Sequence, residues 1–247
     1  MGQNKDAEQL AALDEFIEGR VIAEVIGVVK SGKEATVYCC RPYREDTGLI
    51  AAKIYRDRDV RRFSNDAPYM EGRTRGMRRR DQLAIATKSR AGRRISFGHW
   101  VEQEWRTLST LYQAGCDVPR PLAHSGRVIL MEYVGDEDGA AQTLNATDLE
   151  TDECERVFDV VIRNIELMLA CDVIHADLSA FNVLYRDGDV RIIDFPQAVD
   201  PRFNSSALSL LDRDVARICQ YAAHSGIVRD GQAIVRDLWS RFLRSEL

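Results

Sequence analysis

Residues 174–197, I-H-A-D-L-S-A-F-N-V-L-Y-R-D-G-D-V-R-I-I-D-F-P-Q, constrain what this chain can fold into more than any other stretch. Asp187-Gly188 is a turn signal between two short apolar runs, and the pattern predicts a β-hairpin. Asn182 lies six residues before Gly188 and Asp194 six after it, so a hairpin centred on the glycine sets the two side by side at its open end. An amide oxygen beside a carboxylate suits a hard cation such as magnesium that holds phosphates. Asp177, in the connecting loop, is near enough to receive a proton from an attacking hydroxyl. His-x-Asp-x-x-x-x-Asn, then a strand and Asp-Phe, is an arrangement used for phosphoryl transfer. Taken singly, an Asp or Asn at a turn more often caps the backbone. The joint spacing argues for chemistry.

Such chemistry needs a cation for the phosphates, and Ala51-Ala52-Lys53-Ile54 puts a lysine inside an apolar run. A lysine in a buried strand is costly unless its ammonium meets an anion. Phosphate and a helix glutamate would supply one. An amphipathic helix is predicted over 100–113, where Glu104 flanks the buried stripe between Val101 and Leu108 and Glu102 points further out. Glu104 is therefore the expected partner of Lys53. The turn Ser31-Gly32-Lys33-Glu34 precedes the second strand, in the place of a phosphate-covering loop. Gly27 and Gly32-Lys33 have the spacing of a P-loop, but Glu34 replaces its magnesium-binding hydroxyl and a strand follows where a helix is required.

Elsewhere the periodicity predicts helices over 7–18, 152–170, 206–223 and 231–244, with Asp152 and Glu155 as a capping box. Strands are predicted over 21–29, 35–40, 49–55, 128–133, 182–185 and 190–193. Residues 56–97 lack a sustained period and read as a long basic flexible segment. Between Arg56 and Arg94, thirteen Lys and Arg face five Asp and Glu, a local +8; since the chain carries −5 overall, the remainder carries −13. Six cysteines without C-x-x-C spacing, and an acidic amphipathic start, point to reduced thiols in a cytoplasmic protein without a membrane span. Cys39 and Cys40 are expected on opposite strand faces as small fillers. The isolated His99, His124 and His224 read as surface or packing residues, and His175 as an orienting residue of its loop.

With these motifs the sequence resembles the RIO kinases, an atypical protein-kinase-like family. S-G-K-E-A-T-V-Y at 31–38 resembles its phosphate loop, H-A-D-L-S-A-F-N at 175–182 its catalytic loop in the type-one branch, and I-I-D-F-P-Q at 192–197 its metal loop in the type-two branch. The resemblance implies an α+β, bilobal protein-kinase-like fold, with a β-rich N-lobe and a mostly helical, truncated C-lobe. The expected division is an N-terminal helical extension at 1–20, an N-lobe at 21–134 and a C-lobe at 135–247. By resemblance, Lys53 contacts the nucleotide phosphates, Asp177 is the catalytic base, and Asn182 and Asp194 hold the metal. Ser31, Gly32, Lys33, Glu34, Val37 and Glu104 join Lys53 around the nucleotide, with Met131 as gatekeeper and Glu132 to Val134 under adenine. The implied cofactors are ATP and Mg2+, with Mn2+ as the alternative ion.

The leading functional expectation is an ATP-dependent serine/threonine protein kinase, or an enzyme acting mainly as an ATPase; the resemblance implies that Asp194 itself accepts phosphate transiently. Two alternatives stand beside it. One is a small-molecule phosphotransferase, against which the single helix between Val134 and His175 argues. The other is a nucleotide-gated assembly factor contacting ribosomal precursors or RNA through the basic segment 56–94. Its few aromatics, Phe63 and Tyr69, argue against base stacking, and Ser64 and Thr74 are candidate self-phosphorylation sites. Ala176 replaces the arginine of H-R-D, and 53 residues after Asp194 leave no room for a full peptide-docking subdomain.

Overall fold

A computed structural model of the protein describes residues 9–56, 78–87 and 90–247. Most of the basic segment, including Ser64, Thr74, Arg73 and Arg75, lies outside the described residues; Arg78, Arg79 and Arg80 are exposed. The chain divides into two compact units. The first comprises Met1–Ser64, Arg80–Trp105 and Pro119–Ala140, and the second Asn65–Arg79, Arg106–Val118 and Ala141–Leu247.

The first unit is built on β1 (Ile22–Ser31), β2 (Ala35–Pro42), β3 (Ile50–Tyr55), β4 (Pro121–Ser125) and β5 (Val128–Glu132). They form one antiparallel sheet in the order β1-β2-β3-β5-β4. Strand β4 was not expected, because Pro121 and His124-Ser125 weaken its apolar signal. Side chains alternate between the two faces. Tyr38, Cys40, Ile50, Ala52, Ile54, Val128 and Leu130 line one, and Leu13, Phe16 and Ile22 pack against them. Phe16 belongs to the short helix α1 (Asp14–Glu18) and Leu13 to the turn before it. Leu13 and Phe16 thus contribute to this core, each such side chain adding roughly 1.5–3 kcal/mol of burial. Cys39 pairs with Ala51 and Val37 with Lys53, so these four share the other face.

The stretch 56–97 expected to be loop holds α2 (Arg79–Ala86) and the start of α3 (Arg90–Gln113), whose remainder is the helix expected over 100–113. The arginines, alanines and leucine of this stretch are good helix formers although no apolar period runs through it. The buried Gly92 makes the contact of the two helices possible, since a Cβ there would lie 1.8 Å from the Ala84 carbonyl oxygen.

The second unit contains α4 (Thr151–Ala170), the hairpin β9 (Val183–Arg186) and β10 (Asp189–Ile192), α5 (Ala207–His224) and α6 (Gly231–Leu243). Before them, β6 (Gly135–Asp136) and β7 (Gly139–Ala140) close a tight hairpin in the first unit, and β8 (Gln142–Thr143) joins β9. The capping box expected at α4 does not form. The helix begins one residue earlier, with Glu150 at its N-cap and no side-chain cap, while Glu155 bonds Arg229. Asp152 instead lies inside the first turn, where its charge suits the helix dipole. Fully buried Asn164 accepts from the Asp117 N–H at 2.7 Å and donates to the Asp117 carboxylate and the Val160 carbonyl, both at 2.8 Å. Asp117 in turn accepts from the Ile192 N–H, tying α4 to the hairpin. Among the described residues no helix is long and apolar enough to cross a membrane.

Candidate active site

In the first unit, Lys53 Nζ donates to Glu104 Oε1 at 2.7 Å, and both residues are buried, at 9% and 4% exposure. Glu102 turns elsewhere: its carboxylate lies 3.5 Å from His124 Nδ1, and that ring stacks on Trp105. The Lys53 ammonium also sits 5.1 Å from the centre of the Tyr55 ring, which packs edge-on against Trp100. A lysine is tolerated in this buried strand because a carboxylate and an aromatic face meet it.

Ser31, Gly32 and Lys33 form an exposed hairpin tip closed by the bond from Gly32 N–H to Ala35 O, with Glu34 half-buried. Arg56, immediately after β3, pins this tip: Nη2 donates to Ser31 Oγ at 2.6 Å and Thr36 Oγ1 at 2.8 Å, and its N–H donates to Glu34 O. Nothing in the sequence pattern pointed to Arg56. Met131 pairs with Ala51 and so lies on the Lys53 face; Glu132 accepts from the Arg120 N–H, and Tyr133 N–H donates to Leu49 O. Val134 is half-buried between β5 and β6. A groove of about 490 Å³ on this unit is lined by Gly27, Val29, Cys39, Leu49, Tyr133 and Ala140, among others.

In the second unit the hairpin register corrects the expected symmetry. Arg186 pairs with Asp189 and Val183 with Ile192, so the turn is the residue pair Asp187-Gly188, both at positive φ (50° and 92°). The centre falls between these residues, and Asn182 stands opposite Ile193, whose N–H donates to Asn182 O at 2.9 Å. Asp194 comes one residue later, exposed and in the left-handed region (φ 73°). Asn182 Nδ2 donates to the Asp177 carbonyl at 3.0 Å, which identifies the remaining amide atom as the oxygen. Among the described residues Asn182 Oδ1 accepts no hydrogen bond. An amide oxygen and a carboxylate one residue off register are an oxygen donor set that fits a magnesium-type ion.

His175 is buried, and its ring accepts from the Asp177 N–H at Nδ1 (3.3 Å) while Nε2 faces Ile193 O at 3.1 Å. Nε2 therefore carries the proton. Burial holds the ring's pKa below its usual value, so it stays neutral and orients the loop.

Ala176 adopts φ 64°, a left-handed conformation that costs an alanine roughly 1–2 kcal/mol. Helix α5 holds it there. The buried Asp214 carboxylate accepts from Ala176 N–H (2.7 Å) and Leu178 N–H (3.0 Å), and Arg213 donates to Ala176 O. Asp214 was missed in the sequence although a signal exists: it occupies the apolar stripe Leu210, 214, Ile218, Ala222 at spacing four, where an unpaired carboxylate would be costly. Asp177 itself is reached by Arg217 Nη1, 2.8 Å from Oδ1.

Burial pushes the Asp214 carboxyl up to about 7 against its two N–H donors and the nearby Arg213 and Arg217. Between that value and the ordinary carboxylate value of about 3.9, the native state keeps a proton that the unfolded chain has lost, so Asp214 makes stability fall as pH rises from about 4 to 7. Urea unfolding of Asp214→Asn at pH 5 and pH 7.5 checks this: the expected result is a smaller difference between the two pH values than in the unmodified chain.

A family model for the RIO domain matches residues 36–233. The chain belongs to the RIO family. This RIO domain is 29% identical over 211 residues to the serine/threonine-protein kinase rio1 of Schizosaccharomyces pombe, covering 83% of the chain and 39% of that protein. It is 30% identical over 186 residues to the RIO-type serine/threonine-protein kinase of Thermoplasma acidophilum, covering 75% and 91%. The chain thus spans about two fifths of the length of its first eukaryotic relatives. The Rio2 kinase of Chaetomium thermophilum, solved as an ADP/Mg2+-phosphoaspartate complex, matches with a TM-score of 0.63 and 21% identity over 91% of this chain and 64% of that one. The fold is accordingly α+β and kinase-like, as the motifs implied. The twelve residues between Asp194 and α5 are short and pinned, with Val199 bridged to Ile174 and Phe195 buried against His175.

Proposed function

We propose that this RIO domain is an ATP-dependent serine/threonine protein kinase, which becomes an ATPase when water takes the place of the acceptor. The observation that carries the reading is the loop 175–182. Its backbone is fixed by Asp214 and His175, its Asp177 carboxylate is half-exposed beside Arg217, and its Asn182 amide oxygen accepts no hydrogen bond among the described residues. Asn182 and Asp194 would hold the divalent cation, which would supply neutralisation of the phosphate charge. Lys53, held by Glu104, contacts the nucleotide phosphates, and the hairpin Ser31–Glu34 with Val37 covers them. Met131, Glu132 and Val134 frame the adenine. The proton of the acceptor hydroxyl passes to Asp177 as its oxygen bonds the γ-phosphorus and the bond to the β–γ bridging oxygen breaks, releasing ADP. The names of the relatives, and the ADP and Mg2+ bound by the Chaetomium kinase, support this assignment.

Metal removal tests it. ADP formation from ATP is expected to stop on chelation of divalent cations and to return with added Mg2+, while Asp194→Ala, folded by circular dichroism, stays inactive at any Mg2+ concentration. Chelator-resistant turnover, or a fully active Asp194→Ala protein, contradicts the reading.

A further inference from the structure

The residues 174–182 contain no lysine or arginine, so no cation of the loop itself can hold the Asp177 carboxylate. Helix α5 supplies one. Arg213, Asp214 and Arg217 lie at i, i+1 and i+4 on the same helix, and all three reach the loop. Arg213 and Asp214 fix its backbone at Ala176 and Leu178. The N–H of Asp177 is held by His175, and its carbonyl by Asn182. The freedom left to Asp177 is rotation of its side chain, about χ1 and about the broad, nearly two-fold torsion of its carboxylate. Arg217 removes it: Nη1 takes Oδ1 at 2.8 Å, while Oδ2 accepts no hydrogen bond among the described residues.

We propose that Arg217 is a positioning residue for phosphoryl transfer, locking one oxygen of Asp177 so that the other faces the acceptor hydroxyl. The inference rests on Asp177 being the base. Energetics separate this role from a structural one. The two side chains are 38% and 51% exposed, and an exposed ion pair contributes only about 0–1 kcal/mol to folding. A base displaced by about 1 Å, in contrast, can cost about a hundredfold in rate. Removing Arg217 should therefore leave the fold and lose the chemistry.

The test compares Arg217→Ala, Arg217→Lys and Asp177→Asn in the full chain, measuring thermal midpoint, kcat and the KM for ATP. Arg217→Ala is expected to lower kcat about ten- to a hundredfold with KM for ATP within about twofold and the midpoint nearly unmoved. Arg217→Lys should recover part of kcat, since an ammonium can still reach Oδ1. Millimolar guanidinium should raise the rate of Arg217→Ala and do nothing for Asp177→Asn. A kcat in Arg217→Ala within about twofold of the unmodified chain, beside an inactive Asp177→Asn, overturns the role of Arg217 alone. Full turnover by Asp177→Asn overturns instead the reading of Asp177 on which it stands.

Discussion

Asp177→Asn is expected to lower phosphoryl transfer at least about a hundredfold, the scale of losing a general base. The affinity for ATP should change little. The carboxamide keeps the shape of the side chain, and the contacts that hold this residue's backbone come from His175 and Asn182. What is lost is the oxygen that takes the proton in the proposed mechanism. Single-turnover transfer to a generic acceptor protein, alongside equilibrium ATP binding, separates the two effects. A variant that transfers normally but binds ATP poorly would move Asp177 from the acceptor to the nucleotide.

Glu104→Ala should be the most damaging single change in the first unit. It leaves the ammonium of Lys53, 9% exposed, without the carboxylate 2.7 Å away that neutralises it. Breaking a buried ion pair from one side typically costs about 3–5 kcal/mol, whereas replacing both partners by apolar residues of similar volume is often neutral or stabilising by about 1–4 kcal/mol. Denaturant unfolding of Glu104→Ala beside the double variant Lys53→Met/Glu104→Leu checks this. The single variant should unfold well before the unmodified chain and the double variant near it, with both inactive. Equal destabilisation of the two would mean that packing, rather than charge, dominates the site.

How far the sequence could be read depended on how local each signal was. The hairpin was legible because Asp187-Gly188 sits between two apolar runs, but its register was misjudged by one residue. Centring on Gly188 treats the turn as one residue, whereas the left-handed conformation of both Asp187 and Gly188 makes it two. Glu104 was separable from Glu102 by helical phase alone, since only Glu104 flanks the buried stripe. Helix α2 and the part of α3 before residue 100 were hidden because arginines carry helix propensity without apolar periodicity, and because their contact depends on Gly92, which reads as a breaker. Asp214 could have been found by following the stripe of α5 through a polar position. Arg56 and Arg217 could not, because each acts on a partner 20 to 40 residues away and neither belongs to a local pattern.

The central claim is that the loop 175–182 and Asp194 form one phosphoryl-transfer centre. It is tested most directly by following ADP formation from ATP and Mg2+ in the unmodified chain, Asp177→Asn and Asp194→Ala, each shown to be folded. The account predicts turnover in the unmodified chain and loss of at least about a hundredfold in both variants. Turnover at the same rate in all three would contradict it.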